Sequence, residues 1–136
     1  MHIHQESIIN ATPQAVYEVL TDGQRFAAAT GMPAQISDRE GETSTLFDGR
    51  VEGRQIELVP GRRIVQAWRF GANHPSCWDA GLYSIVRFTL SGQGDGTRFV
   101  IDHTAVPPQW HEHISGGYPD CYQQPLERYF AALSTP

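Results

Sequence analysis

"LVPGRRIVQAWRF", residues 58–70, is the stretch on which the fold turns. Pro60-Gly61 is turn chemistry, and beyond it Ile64, Gln66, Trp68 and Phe70 alternate onto one face of an extended segment. Two extended runs joined by so short a turn pair as an antiparallel hairpin. The shared face is aromatic, yet it carries one amide, Gln66. Two readings follow: a plain core face whose amide is bonded to its neighbours, or the wall of a pocket into which a polar group projects.

The same texture runs outward from this hairpin. Short segments punctuated by glycine predict strands near 34–39, 43–48, 50–59, 63–71, 81–91 and 97–106. In "RFVIDHTAV" one face holds Phe99, Ile101, His103 and Ala105, and in "YSIVRFTL" the apolar face holds Ser84, Val86, Phe88 and Leu90. "SGQGDGT" between them is a hairpin loop. An alternating run within residues 2–10 adds a first strand, and the consecutive prolines of "VPPQW" end the sheet because they cannot donate to a ladder.

Helical signals flank the strands. Thr12 followed by Pro13 starts a short helix whose Val16, Val19 and Leu20 lie on one side, and Asp22 caps a second over about 23–30 with Phe26 inward. After residue 110, Tyr118, Cys121 or Tyr122, Leu126, Tyr129 or Phe130, and Leu133 recur at spacings of three and four, a wide aromatic stripe on one long helix. Pro125 lies inside that pattern and predicts a kink. The order of elements is that of an α+β fold: a curved antiparallel sheet of six to seven strands, two short helices, and a long C-terminal helix packed across it.

Composition bounds the function. A chain of 136 residues fits one domain, here 1–136, and 40% hydrophobic against 18% charged residues is ordinary globular usage. Ten Lys and Arg against fifteen Asp and Glu leave a net charge of −5 with no basic run, so no nucleic-acid partner is expected. No apolar run reaches the roughly 18 residues of a membrane span and no signal-peptide pattern opens the chain, so no membrane partner is expected and the expected location is cytoplasmic. The two cysteines, Cys77 and Cys121, read as free thiols.

The words of the sequence carry a resemblance. "PQAVY" at 13–17, "LFDGRVEGRQIELVPGRRIVQAWRF" at 46–70, "GDGTRFVIDHTAVP" at 94–107 and "GGYPDCYQQPLERYF" at 116–130 are similar to the domain of the activators of the ninety-kilodalton heat-shock protein ATPase, a branch of the START-like superfamily. The resemblance implies a helix-grip fold, in which the long helix and the curved sheet enclose a cavity. Where that family has Gly-Trp at the entry to its last helix, this chain has Gly117-Tyr118, keeping aromatic bulk without the indole N–H. The eukaryotic activators also carry a separate N-terminal chaperone-docking domain with no counterpart in these residues, so full ATPase stimulation is not expected.

The resemblance turns the aromatic faces into a candidate binding site for a hydrophobic small molecule: Gln66, Trp68, Phe70, Val86, Phe88, Phe99, Ile101, His103, Tyr118, Tyr122 and Leu126. Gln66, His103 and the hydroxyls of Tyr118 and Tyr122 would orient the ligand. The alternative is a filled core and a co-chaperone-like module acting through its surface on a chaperone partner. A third reading is a cyclase- or hydrolase-like enzyme, for which no nucleophile or phosphate-loop motif is present. No cofactor is expected. His74, Cys77, His111, His113 and Cys121 offer metal-ligand atoms, but they lack the paired spacing of a structural zinc site, and no metal is expected there. Exposed sheet edges leave monomer and homodimer both open.

Overall fold

The computed structural model describes residues 2–71, 78 and 81–134. Six strands form one antiparallel sheet, β1 (Ile3–Ile9), β2 (Thr43–Leu46), β3 (Val51–Val59), β4 (Arg63–Phe70), β5 (Ser84–Gln93) and β6 (Gly96–Thr104), in the order β1-β6-β5-β4-β3-β2. Between β1 and β2 lie α1 (Pro13–Thr21) and α2 (Gly23–Thr30). The chain ends in α3 (His111–Tyr118), a π-helical turn (Pro119–Gln123) and α4 (Gln124–Ser134), which together form the long helix across the curved sheet. No helix among the described residues is long and apolar enough to cross a membrane.

Local chemistry accounts for these boundaries. The Thr12 hydroxyl accepts from the Ala15 amide at 3.2 Å, and the Asp22 carboxylate accepts from Gln24 and Arg25 at 2.9 and 3.1 Å. Gly61 sits at φ +73 with the Arg62 amide bonded to the Val59 carbonyl at 3.0 Å, a Pro-Gly turn that closes the β3–β4 hairpin. A β-bulge between Gln55 and Glu57 inserts Ile56 and resets the alternation of β3. Gln55 therefore stands opposite Gln66, both facing inward, and Leu58 rather than Glu57 packs on the core. The inward faces expected for β4 (Ile64, Gln66, Trp68, Phe70) and β5 (Ser84, Val86, Phe88, Leu90) are buried.

Four sequence expectations need correction. Residues 34–39 form only an isolated bridge, Gln35 to Thr45, because side chains take the backbone groups of Ser37: its amide donates to Ser44 Oγ and its carbonyl accepts from Gln55 Nε2. Ala105 turns to φ +60 and ends β6, so it does not share the face of His103. Leu133 is 66% exposed and lies off the helical stripe. The helix irregularity is the π turn at 119–123, whose last bond runs from the Gln124 amide to the Pro119 carbonyl, just ahead of Pro125. The wide turn accommodates the proline ring, and its extra residue offsets the drift of a four-residue repeat against a 3.6-residue helix, so Tyr118, Tyr122, Leu126 and Phe130 all stay buried.

Pro119 has a second effect. It lacks the amide that would bond back to Ser115, and that carbonyl accepts instead from Gln5 Nε2 at 2.8 Å, while Gln5 Oε1 accepts from Gln123 Nε2 at 3.1 Å. Gln5 thereby clips β1 to the long helix. Gln5→Ala leaves a half-buried carbonyl and amide without this partner and is expected to lower the unfolding free energy by about 1–3 kcal/mol. Urea denaturation checks this, and an unchanged midpoint would refute the clip.

Candidate functional site

A cavity of about 170 Å³ lies between the β3–β4 end of the sheet and the long helix. Trp68 and Phe70 of β4 with Val51 of β3 form its floor, and Ile114, Gly117, Tyr118, Cys121 and Tyr122 close it from the helix. Phe47 completes the apolar wall, and Met32, Arg50 and His113, all exposed, form a rim open to solvent. The helix wall exists because of a sequence choice: an added Cβ at Gly117 would meet nothing within 4 Å. A glycine costs about 1 kcal/mol against alanine in a helix interior, so this opening is not what helix stability alone would select.

The sheet wall depends on an unusual turn. Phe47, Asp48 and Gly49 follow one another in the left-handed region at φ +54, +59 and +80. For a bulky residue such as Phe47 this conformation is strained, by about 1–3 kcal/mol. The turn is held by the Asp48 amide on the Pro33 carbonyl at 2.9 Å and the Arg50 amide on the Phe47 carbonyl at 3.2 Å. It directs the Phe47 ring edge-on toward Phe26 and Tyr122, with centroids 5.6 and 5.7 Å away, and sets Arg50 at the cavity mouth. Among the described residues, the Arg50 guanidinium has no ion-pair partner and no acidic side chain lines the cavity.

Of the residues anticipated from sequence, Trp68, Phe70, Tyr118 and Tyr122 line this cavity, whereas Gln66, Val86, Phe88, Phe99, Ile101, His103 and Leu126 lie in the packed core away from it. Gln66 answers the question posed by its strand: its Nε2 donates to Gln55 Oε1 at 2.9 Å, and its Oε1 accepts from Trp68 Nε1 at 2.7 Å. The amide is bonded at both ends and serves to fix the indole. Arg50, Phe47 and Gly117 escaped sequence reasoning. The readable signal was the Gly116-Gly117 pair within a helical pattern, which calls for a packing or functional reason. Of the metal-ligand candidates, His111, His113 and Cys121 do not gather into one ligand set, Cys121 is a free thiol, and His74 and Cys77 fall outside the described residues.

His103 is fully buried between two hydroxyls, Ser84 Oγ at 2.6 Å from Nε2 and Tyr118 Oη at 2.7 Å from Nδ1. The network assigns one arrangement: Tyr118 donates to Nδ1, Nε2–H donates to Ser84, and Ser84 donates to the Trp68 carbonyl at 3.5 Å. Burial holds the Tyr118 hydroxyl protonated and pushes His103 down to about 4 from the ordinary value near 6.5. The neutral imidazole is therefore a structural bridge with both nitrogens engaged. The unfolded chain binds this proton more readily than the native one, so its contribution is complete above about pH 6.5 and is lost as pH falls toward 4, by about 3 kcal/mol. Unfolding free energies measured across that window should fall less steeply for His103→Gln than for the parent; equal slopes would refute the assignment.

Comparison with known proteins agrees with this fold. The family described as Activator of Hsp90 ATPase homolog 1-like protein matches residues 10–131. An uncharacterised protein of Schizosaccharomyces pombe is 28% identical over 128 residues, covering 94% of this chain and 37% of that protein. The human activator of 90 kDa heat shock protein ATPase homolog 1 is 25% identical over 119 residues, covering 88% and 34%. The chain thus spans about a third of the length of these curated relatives. Among solved structures, an HSP90 activator from Plasmodium falciparum superposes with a TM-score of 0.84 at 19% identity, covering 96% of each chain. A protein from Mesorhizobium loti gives 0.83 at 16% identity, covering 99% of this chain and all of the other. With the sheet order, the gripping helix and this match over nearly its full length, the chain belongs to the Activator of Hsp90 ATPase homolog 1-like protein family.

Proposed function

We propose that the protein binds a compact aromatic or similarly apolar molecule bearing one anionic group, with the apolar part in the cavity and the anion at Arg50. The observation that carries this reading is the pairing of an aromatic void with a guanidinium at its mouth that has no ion-pair partner among the described residues. At about 170 Å³ the cavity is smaller than the roughly 300–1,000 Å³ of drug-sized sites and close to the about 150 Å³ that accepts a benzene ring. Arginine at the rim suits a carboxylate because its planar fork offers two parallel donors. Gln66, His103 and the Tyr118 hydroxyl are already bonded within the protein, so selectivity rests chiefly on shape and Arg50.

Titration with benzoate and with toluene, followed by backbone and indole NMR resonances, tests this. Both probes should shift residues around the cavity. Arg50→Ala should weaken benzoate about tenfold or more and leave toluene unchanged, and Gly117→Leu should abolish both while preserving the fold, since leucine is the better helix former. Absence of any cavity-specific shift would refute the proposal.

A second reading rests on the family match: a surface module that engages an Hsp90-type chaperone ATPase, as the name of the human relative describes for that protein. Such an interaction does not require the cavity. Co-sedimentation with the chaperone of the same host should then be equally strong for the parent and Gly117→Leu. Loss of binding in that variant would tie the interaction to the cavity, and no binding by either would reject the module.

A further inference from the structure

The outer face of β1 and β6 gathers ligand atoms far from the cavity. His2 and His4 are two residues apart on extended backbone and so project from the same face, and Asp102 of β6 stands directly opposite His4 in the strand register. Asp102 Oδ1 lies 2.9 Å from His2 Nε2 and 2.6 Å from His4 Nδ1, and the three atoms fall within 4.8 Å of one another. Two imidazole nitrogens and one carboxylate oxygen are the donor set of an open zinc site.

We propose that His2, His4 and Asp102 bind a zinc-like divalent transition-metal ion, leaving one coordination position open. The surroundings supply what such ligands need. The other nitrogen of His4, Nε2, bonds Glu6 Oε2 at 2.7 Å, the carboxylate–histidine arrangement that orients a metal-binding imidazole. Glu6 is itself held through Oε1 by Arg98 Nε and Nη2 at 3.0 and 2.5 Å, and Arg87 takes Asp102 Oδ2 at 3.4 Å, leaving Oδ1 for the ion. Tetrahedral coordination at about 2.0–2.1 Å separates ligand atoms by about 3.3 Å, so the imidazoles must move outward by several tenths of an ångström. Both are half exposed and free to do so. On binding, each imidazole acts as a neutral ligand and releases any proton from the coordinating nitrogen. Arg87 and Arg98 offset the charges of Asp102 and Glu6, so affinity rests on nitrogen donation. That favours zinc, nickel or copper over magnesium and calcium, which require oxygen cages.

Zinc chloride titrated into the full chain without an affinity tag, read by calorimetry and by the visible spectrum of the cobalt(II) form, decides the matter. One equivalent should bind. His2→Ala, His4→Ala and Asp102→Asn should each weaken it at least tenfold, Glu6→Gln should weaken it through His4, and millimolar magnesium should not compete. His74→Ala, Cys77→Ser, His113→Ala and Cys121→Ser should leave it unchanged. Failure to bind zinc stoichiometrically, or undiminished binding in the His2→Ala/His4→Ala double variant, would overturn the site.

Discussion

Trp68 is the residue through which the sheet and the long helix are joined. Its indole lies nearly parallel to Tyr118 and Tyr122, with interplanar angles of 25° and 26° and centroids 6.1 and 6.0 Å away. An indole held by stacking alone could turn about its side-chain torsions, but here its N–H is fixed by Gln66, which Gln55 fixes in turn. The bulge at Ile56 is what puts Gln55 opposite Gln66. A one-residue insertion in β3 therefore helps fix the ring on which the helix packs. The backbone of Trp68 is tied as well, through Ser84 and His103 to Tyr118, so both sides of the indole lead back to the same helix.

The helix is shaped to receive that ring. A straight α-helix with residues every fourth position would rotate its stripe away from the sheet, and the π turn at 119–123 returns it. Pro119, at the start of that turn, frees the Ser115 carbonyl, and the Gln5 side chain of β1 takes it up. The helix end nearest β3 is left thin by Gly117, and the space there becomes the cavity rather than further core.

The alternation of the strands made much of this legible in sequence. Period-two patterns placed Ile64, Gln66, Trp68 and Phe70 on one face, and the capping residues Thr12 and Asp22 marked the two short helices. The six-stranded sheet and the gripping helix follow from those patterns. Less legible was whatever depends on side chains competing with backbone: Ser44 and Gln55 occupy Ser37 and dissolve a strand that the glycine-punctuated texture suggested. The position of the cavity was also hidden. Hydrophobic pattern identifies residues that face inward but cannot tell filled space from empty space, and Phe88 or Ile101 is indistinguishable on that basis from Phe70. Arg50 and Phe47 were invisible because their placement depends on a left-handed turn at non-glycine residues, which sequence gives little reason to expect.

That turn bears on whether the cavity is a leftover of imperfect packing. Strain at Phe47 costs about 1–3 kcal/mol and Gly117 about 1 kcal/mol against alanine, sizeable beside the roughly 5–15 kcal/mol that stabilises a domain. An alanine at 117 would meet no neighbour, so close packing does not require the glycine. Yet both destabilising features border the same void, one on its sheet side and one on its helix side. Packing defects scattered by chance have no reason to coincide with an arginine that is unpaired among the described residues. Local rules broken together around one aromatic space, with a charge at its opening, support the proposal that this space takes a ligand over the reading of a merely filled core.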